Sequence, residues 1–217
     1  MSSPMEEDEL LRRVRETRRG AFLFPLKDGQ RVLLGPVLPE DRERIRAGIK
    51  RLSTISRYLR FFAATNTLSE EHLRYLTQVD QVNHVAWCVV DISTPALDGL
   101  GLGRFVRLAK QPTIAETALA VVDAYQGRGV GRILLGLLYL RALELGVETL
   151  RALILPENER VEWWFGQLGA EVRQGRGNDI TEADLPVLHD LGKLPKTPAA
   201  GRFREVLERL AAAKAQL

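Results

Sequence analysis

The 217-residue chain is 45% hydrophobic, with 31 lysines and arginines against 28 acidic residues and a formal charge of +3. This content supplies a core for one ordinary-to-large domain with additions at its ends. So mild a charge excludes the strong field of a nucleic-acid binder, and no nucleic-acid partner is expected. A single cysteine, Cys88, rules out an internal disulfide and fits a reducing, cytoplasmic compartment. It lies in the apolar run Val85 to Val90 and reads as a small buried hydrophobe. The N-terminus is charged from Glu6 onward, without the apolar segment of a secretory leader. No run of about 18 apolar residues is present, so no membrane span is expected.

Residues 5 to 19 pass from acidic (Glu6, Glu7, Asp8, Glu9) to basic (Arg12, Arg13, Arg15, Arg18, Arg19). That order complements a helix dipole and predicts a surface helix or arm. Its apolar stripe is thin (Leu10, Leu11, Val14), and Gly20 ends it. Residues 31–38 read as a first strand. Pro39, followed by Glu40 and Asp41, opens a helix to residue 51. Further helices are predicted over 54–63 and from Ser69 to about Thr77. Val85 to Ile92, Leu100 to Leu108 and Thr113 to Val122 are strand candidates. Turn signals separate them, Ser93-Thr94-Pro95 with Asp98-Gly99 and then Gln111-Pro112, and links this short imply antiparallel hairpins. A helix over about 129 to 145 is apolar nearly all round, which implies burial against a sheet, and it stops at Gly146. Leu150 to Leu155 reads as a strand, Glu159 to Leu168 as a helix, and Glu171 to Arg173 with Ile180 to Leu188 as a final hairpin. Leu194 to Gly201, with Pro195 and Pro198, reads as a linker. Phe203, Val206, Leu207 and Leu210 then mark an amphipathic helix over 202–216. The expected division is an N-terminal helical arm (1–20), a central α/β (α+β) domain (21–190), and a linker with a C-terminal helix (191–217).

The stretch richest in chemistry is Gln126-Gly127-Arg128-Gly129-Val130-Gly131-Arg132, set between a strand and a helix. The first N–H groups of a helix lack internal partners, and the helix dipole adds positive potential there. Missing Cβ atoms let an anion come close to the backbone. Residues 126 to 132 therefore read as a pyrophosphate cradle. The dinucleotide fingerprint G-x-G-x-x-G fails because position 132 is Arg132, and no nucleotide P-loop string occurs. What remains is Q-x-x-G-x-G.

That motif resembles the acetyl-CoA pyrophosphate loop of the GNAT acetyltransferases. The resemblance extends to Leu155-Pro156-Glu157-Asn158 and to Leu168-Gly169-Ala170, and covers roughly residues 31 to 190. It implies the GNAT fold, a mixed, mostly antiparallel sheet of about six to seven strands flanked by helices. It implies acetyl-CoA as co-substrate, with Gln126, Gly127, Arg128, Gly129, Val130, Gly131 and Arg132 on the pyrophosphate through backbone N–H groups and side chains. Backbone groups of Val121 and Val122 would pair with the pantetheine amide like an added strand, and Asn158 would hydrogen-bond the pantetheine arm. Leu52 to Phe62, Leu68-Ser69 and Leu76 to Asp80 resemble the acceptor-side helices of bacterial Pat-type protein-lysine acetyltransferases. Those often carry a cyclic-nucleotide or acyl-CoA-synthetase-like domain. Here the resemblance is to the catalytic domain only, and nucleotide regulation does not carry over.

The reaction so implied is attack of a neutral amine on a thioester. A lysine-like amine, with an ordinary pKa near 10.4, needs a base. Glu116 is the candidate: it sits in an otherwise uncharged strand and shares a face with Ala118, Ala120 and Val122, whose small side chains leave room for a substrate. A solvated edge carboxylate is the other reading of Glu116. Many small-amine members of the family place a tyrosine seven residues after the asparagine. Phe165 stands there, which disfavours a small amine and favours a glutamate-only mechanism. Trp163, Trp164 and Phe165 read as core or groove wall, and Arg57, Tyr58 and Arg60 as acceptor-site lining or ordinary helix surface. His72, His84 and His189 lack ligand spacing, so no metal is expected. The leading expectation is an N-acetyltransferase acting on a protein lysine. The alternatives are a small-molecule amine acetyltransferase and a non-catalytic acyl-CoA-binding module, the terminal helices being candidates for a homodimer contact.

Overall fold

The computed structural model describes residues 9, 12, 14–16, 18–62, 68–93, 96–174 and 180–216. Its strands are β1 (Phe22–Pro25), β2 (Arg31–Pro36), β3 (His84–Asp91), β4 (Gly99–Leu108), β5 (Gln111–Val121), β6 (Thr149–Ile154), β7 (Glu171–Gln174) and β8 (Thr181–Pro186). Its helices are α1 (Arg42–Lys50), α2 (Thr54–Phe61), α3 (Glu70–Thr77), α4 (Val130–Glu144), α5 (Glu159–Gln167) and α6 (Pro198–Lys214). The strands form one eight-stranded sheet in the order β1-β2-β3-β4-β5-β6-β8-β7. Neighbours pair antiparallel except β5 and β6, which are parallel. The expected fold class holds, with β1 as an eighth strand beyond the six to seven anticipated.

Strand β3 explains why its sequence is apolar without alternation. Val85, Trp87 and Val89 face the core built around α4, whereas Ala86, Cys88 and Val90 face a second core with Ile45 and Ile49 of α1 and Leu73 and Leu76 of α3. A strand covered on both faces has no polar side to show. Cys88 is buried there, and burial pushes its thiol up to about 11, so it is not a nucleophile. The hydrophobicity of α4 has the same origin: it lies between the sheet and α6. A Cβ on Gly136 would come within 2.8 Å of Leu210 Cδ1, and Tyr139 meets the Phe203 ring edge-on at 5.5 Å. The apolar stripe of α6 is therefore covered by its own chain rather than offered to a second copy. This helix starts earlier than the sequence suggests, at Pro198, because Thr197 caps it by accepting the Ala200 N–H at 3.0 Å.

In the N-terminal arm, residues 9, 12 and 14–16 are helical, and Arg12 pairs with Glu9 and Glu16. Glu6 to Asp8, Leu10, Leu11, Arg13, Ala63, Thr94 and Pro95 lie outside the described residues. Arg18 anchors the arm: it is buried and holds both carboxylate oxygens of Asp41 at 2.6 and 2.7 Å, beside the start of α1.

Candidate active site

The single parallel pairing makes the site. Register between β5 and β6 runs from Ile114↔Thr149 to Thr117↔Ala152 and goes no further. Beyond it, β5 stays paired with β4 as far as Gly101↔Val121, and β6 with β8 as far as Ile154↔Thr181. The two strands thus part from Ala118 onward and leave a V-shaped opening. Successive residues of a strand present their main-chain groups to alternate sides. Val122 donates its N–H to the Leu100 carbonyl, on the β4 side, so Leu119 and Val121 turn theirs toward the opening. The Val122 carbonyl also accepts from the Tyr125 N–H, so both of its main-chain groups have partners within the protein.

The opening leads into a cleft of about 460 Å³ lined by Leu119 to Val121, the glycine loop, Asn158, Val161 and Trp164. Gly129 takes φ +99° as N-cap of α4, a left-handed conformation that side chains disfavour. Among the described residues, no oxygen accepts a well-formed hydrogen bond from the N–H groups of Gly127, Arg128, Gly129, Val130, Gly131 or Arg132. Val130, Gly131 and Arg132 are the donors that any helix start leaves without an internal partner, and Gly127, Arg128 and Gly129 extend that set into the loop. The Asn158 side chain likewise makes no hydrogen bond among the described residues, although its backbone closes the turn into α5.

The side chains of the loop divide. Gln126 Nε2 reaches the Val121 carbonyl at 3.2 Å and Ser56 Oγ at 3.1 Å, tying the loop to α2. Asp123 strengthens that tie by accepting from the Ser53 N–H and Ser56 Oγ, each at 2.9 Å. Arg128 turns away from the cleft. It lies over the Tyr125 ring and bonds Asp28 at 2.8 Å and Gln30 at 2.6 Å, so its side chain braces the loop while its N–H remains available. Arg132 does face the cleft. Its Nε is buried without a partner, and burial, followed by the charge of Arg202, holds its guanidinium below the usual range.

Sequence reasoning missed the rest of the cationic lining. Lys27 of the β1–β2 turn, Arg160 of α5 and Arg202 of α6 line the same cleft as Arg132. Among the described residues, none of these side chains forms an ion pair. Cations gathered without ion-pair partners favour a polyanion, although the charge of Glu205 also reaches Arg132. Neither Lys27 nor Arg202 belongs to a motif; only the tertiary fold brings them together.

Glu116 sits at the vertex of the opening, half-buried, opposite Val106 on β4 and Arg151 on β6. The same register row continues through His84 and Asp184. Arg151 is held by Asp184 at 2.7 and 2.8 Å and by Glu182 at 3.4 Å. Arg60 lines the cleft, and Glu116 acts on its charge: burial and the neighbouring Arg104 push its guanidinium down to about 10, against the pull of Glu116. Arg57, by contrast, bonds Leu52 and Thr54 and serves its own helix. Phe165 is in the core, 2% exposed, while Trp164 forms cleft wall. The described residues contain no cluster suited to a metal ion.

An open parallel pair at the centre of a mostly antiparallel sheet, with a glycine loop of free amides at its mouth, defines a GNAT-type acyl-CoA site. The chain belongs to the GNAT acetyltransferase family, whose profile, described as Acetyltransferase (GNAT) family, matches residues 55–169. Among curated relatives it is 35% identical over 184 residues to Acetyltransferase Pat of Mycolicibacterium smegmatis, covering 82% of this chain and 54% of that protein. It thus spans little more than half of that relative. Among solved structures it superposes on the GNAT domain of S. lividans PAT with a TM-score of 0.70 at 27% identity, covering 77% of this chain and 97% of that one. A cAMP-binding acyltransferase from Mycobacterium smegmatis matches with a TM-score of 0.57 at 26% identity, covering 98% and 62%.

Proposed function

We propose that the protein transfers an acetyl group from acetyl-CoA to a primary amine, a lysine side chain of another protein, by direct attack with Glu116 as general base. The observation that carries this reading is the run of unclaimed amides from Gly127 to Arg132, ringed by Lys27, Arg132, Arg160 and Arg202, at the mouth of an opening whose vertex holds a carboxylate. Coenzyme A offers matching chemistry: a diphosphate and a further phosphate for the cations and amides, and a peptide-like arm for a strand edge. Leu119 and Val121 would pair with that arm, and the Asn158 carboxamide would bond it from the facing side.

The chemistry balances without a further reagent. The amine nitrogen forms a bond to the thioester carbonyl carbon, the carbon–sulfur bond breaks, and Glu116 receives the amine proton. The sulfur leaves as a stable thiolate that takes a proton from solvent, since buried Phe165 has none to give. A protein acceptor fits the surface beside the cleft. Ile55 and Tyr58 are exposed one turn apart on α2, Phe62 is exposed at its C-cap, and Tyr75 of α3 is exposed as well.

The test is thermal stabilisation by acetyl-CoA together with thiol release on adding lysine peptides. A ligand at about 100 times its Kd stabilises the fold by about 2.7 kcal/mol. Stabilisation with thiol release supports the reading. Stabilisation with no release for any amine or lysine peptide would make the protein an acyl-CoA-binding module, and no stabilisation would refute the site.

A further inference from the structure

The acceptor half of the site carries more positive charge than its base can balance. Arg104 stands on β4 opposite Ala118, on the same face of the sheet as Glu116 and diagonal to it. Its guanidinium lies 4.6 Å from the centre of the Tyr75 ring, and its Nη1 is buried without a hydrogen-bond partner. Arg60 approaches from α2 and feels the charges of both Arg104 and Glu116. Neither arginine forms an ion pair among the described residues, with Glu116 or with any other carboxylate.

The nearby anions are already taken. Asp80 accepts the N–H groups of Val82, Asn83 and His84 at 2.8 to 2.9 Å. Asp184 and Glu182 hold Arg151. His84, its ring tilted against Tyr75 at 5.0 Å, adds no charge at neutral pH, because burial and then Arg104 push it down to about 4. Arg60 and Arg104 therefore face a single carboxylate. A bare ammonium entering that space is repelled by one net positive charge. An amine that brings its own carboxylate is not.

We infer that Arg60 and Arg104 form a carboxylate subsite, so that the preferred acceptor is a lysine flanked in its protein by aspartate or glutamate. This rests on the acyl-transfer reading and narrows its substrate. Matched lysine peptides flanked by aspartates, asparagines or arginines are compared as acceptors at saturating acetyl-CoA. Binding of the same labelled peptides is measured without coenzyme by fluorescence anisotropy. The aspartate peptide is expected to exceed the asparagine peptide about tenfold in kcat/KM and in affinity, with the arginine peptide below both. Arg104→Gln should erase most of the difference and Arg104→Lys should keep part of it, each variant being checked for a normal melting curve. Equal values for all peptides would overturn the inference, as would a preference undiminished in both Arg104→Gln and Arg60→Gln. Anisotropy separates this failure from failure of the acyl-transfer reading. Charge-dependent binding abolished by Arg104→Gln supports the subsite even if no thiol is released, and binding that ignores charge, or no binding, overturns it whatever the turnover.

Discussion

Replacing Glu116 by glutamine tests the proposed base with little change of shape. The substitution keeps the side-chain volume at a half-buried position and removes the ability to take a proton together with the charge that acts on Arg60. At pH 7.4 about one lysine amine in a thousand is neutral, given an ordinary pKa near 10.4. A positioned base contributes about 10²- to 10⁴-fold. Glu116→Gln is therefore expected to lower kcat by about 10²- to 10³-fold at pH 7.4, some 3 to 4 kcal/mol of barrier. Above that pH the deficit should shrink about tenfold per unit, because solution hydroxide then supplies the neutral amine. Coenzyme binding should not change, since Glu116 is not among the residues lining the coenzyme cleft. Thiol release against a lysine peptide from pH 7 to 10, with acetyl-CoA affinity by calorimetry, reads both quantities. A kcat within about twofold of the unmutated enzyme at pH 7.4 would refute the assignment, as would a deficit that stays constant with pH while coenzyme still binds.

Other consequences can be measured directly. Lys27→Gln and Arg202→Gln should each weaken coenzyme A about three- to tenfold and flatten the salt dependence of its Kd, as expected for loss of one solvent-screened charge; calorimetry at two salt concentrations checks this. Phe165→Tyr should not raise turnover, because the new hydroxyl would enter the core rather than the cleft, and it should cost about 1 to 3 kcal/mol in urea unfolding. His84 has a folded-state pKa of about 4, below its ordinary 6.5, so the native state binds fewer protons than the unfolded chain between those values. Stability should accordingly fall as pH drops from about 6.5 toward 4, and His84→Gln should flatten that slope in unfolding curves at pH 7 and pH 5.

The parts of the site that could be read in the sequence are those where local chemistry is unusual. Glycines beside a helix start, and one carboxylate in an apolar strand, announce themselves because each opposes the element that contains it. Lys27 and Arg202 do not: a lysine in a turn and an arginine on an amphipathic helix are ordinary surface residues until folding sets them around one cleft. Arg128 misleads in the opposite sense. It stands inside the motif, yet Asp28 and Gln30, a hundred residues away or nearly so, claim its side chain. Strand β1 is faint in the sequence because Phe22–Pro25 is only four residues long and ends in proline, which an edge strand tolerates and a central one does not. The start of α6 was hidden by Pro198, a residue as suited to the first turn of a helix as to a linker. Which of Val121 and Val122 turns its main chain to the opening differs by one step of strand alternation, a distinction that depends on which neighbour holds each.

In the proposed reading, the parting of β5 and β6 leaves Leu119 and the Val121 N–H to meet a ligand through the main chain alone, the Val121 carbonyl being held by Gln126. Such recognition is blind to side-chain identity, so the floor of the groove can drift through many small apolar residues without losing its guest. Selectivity must then reside at the two ends, where charge and shape are carried by side chains. Designers seeking an altered donor or acceptor should leave that floor untouched and rework its margins.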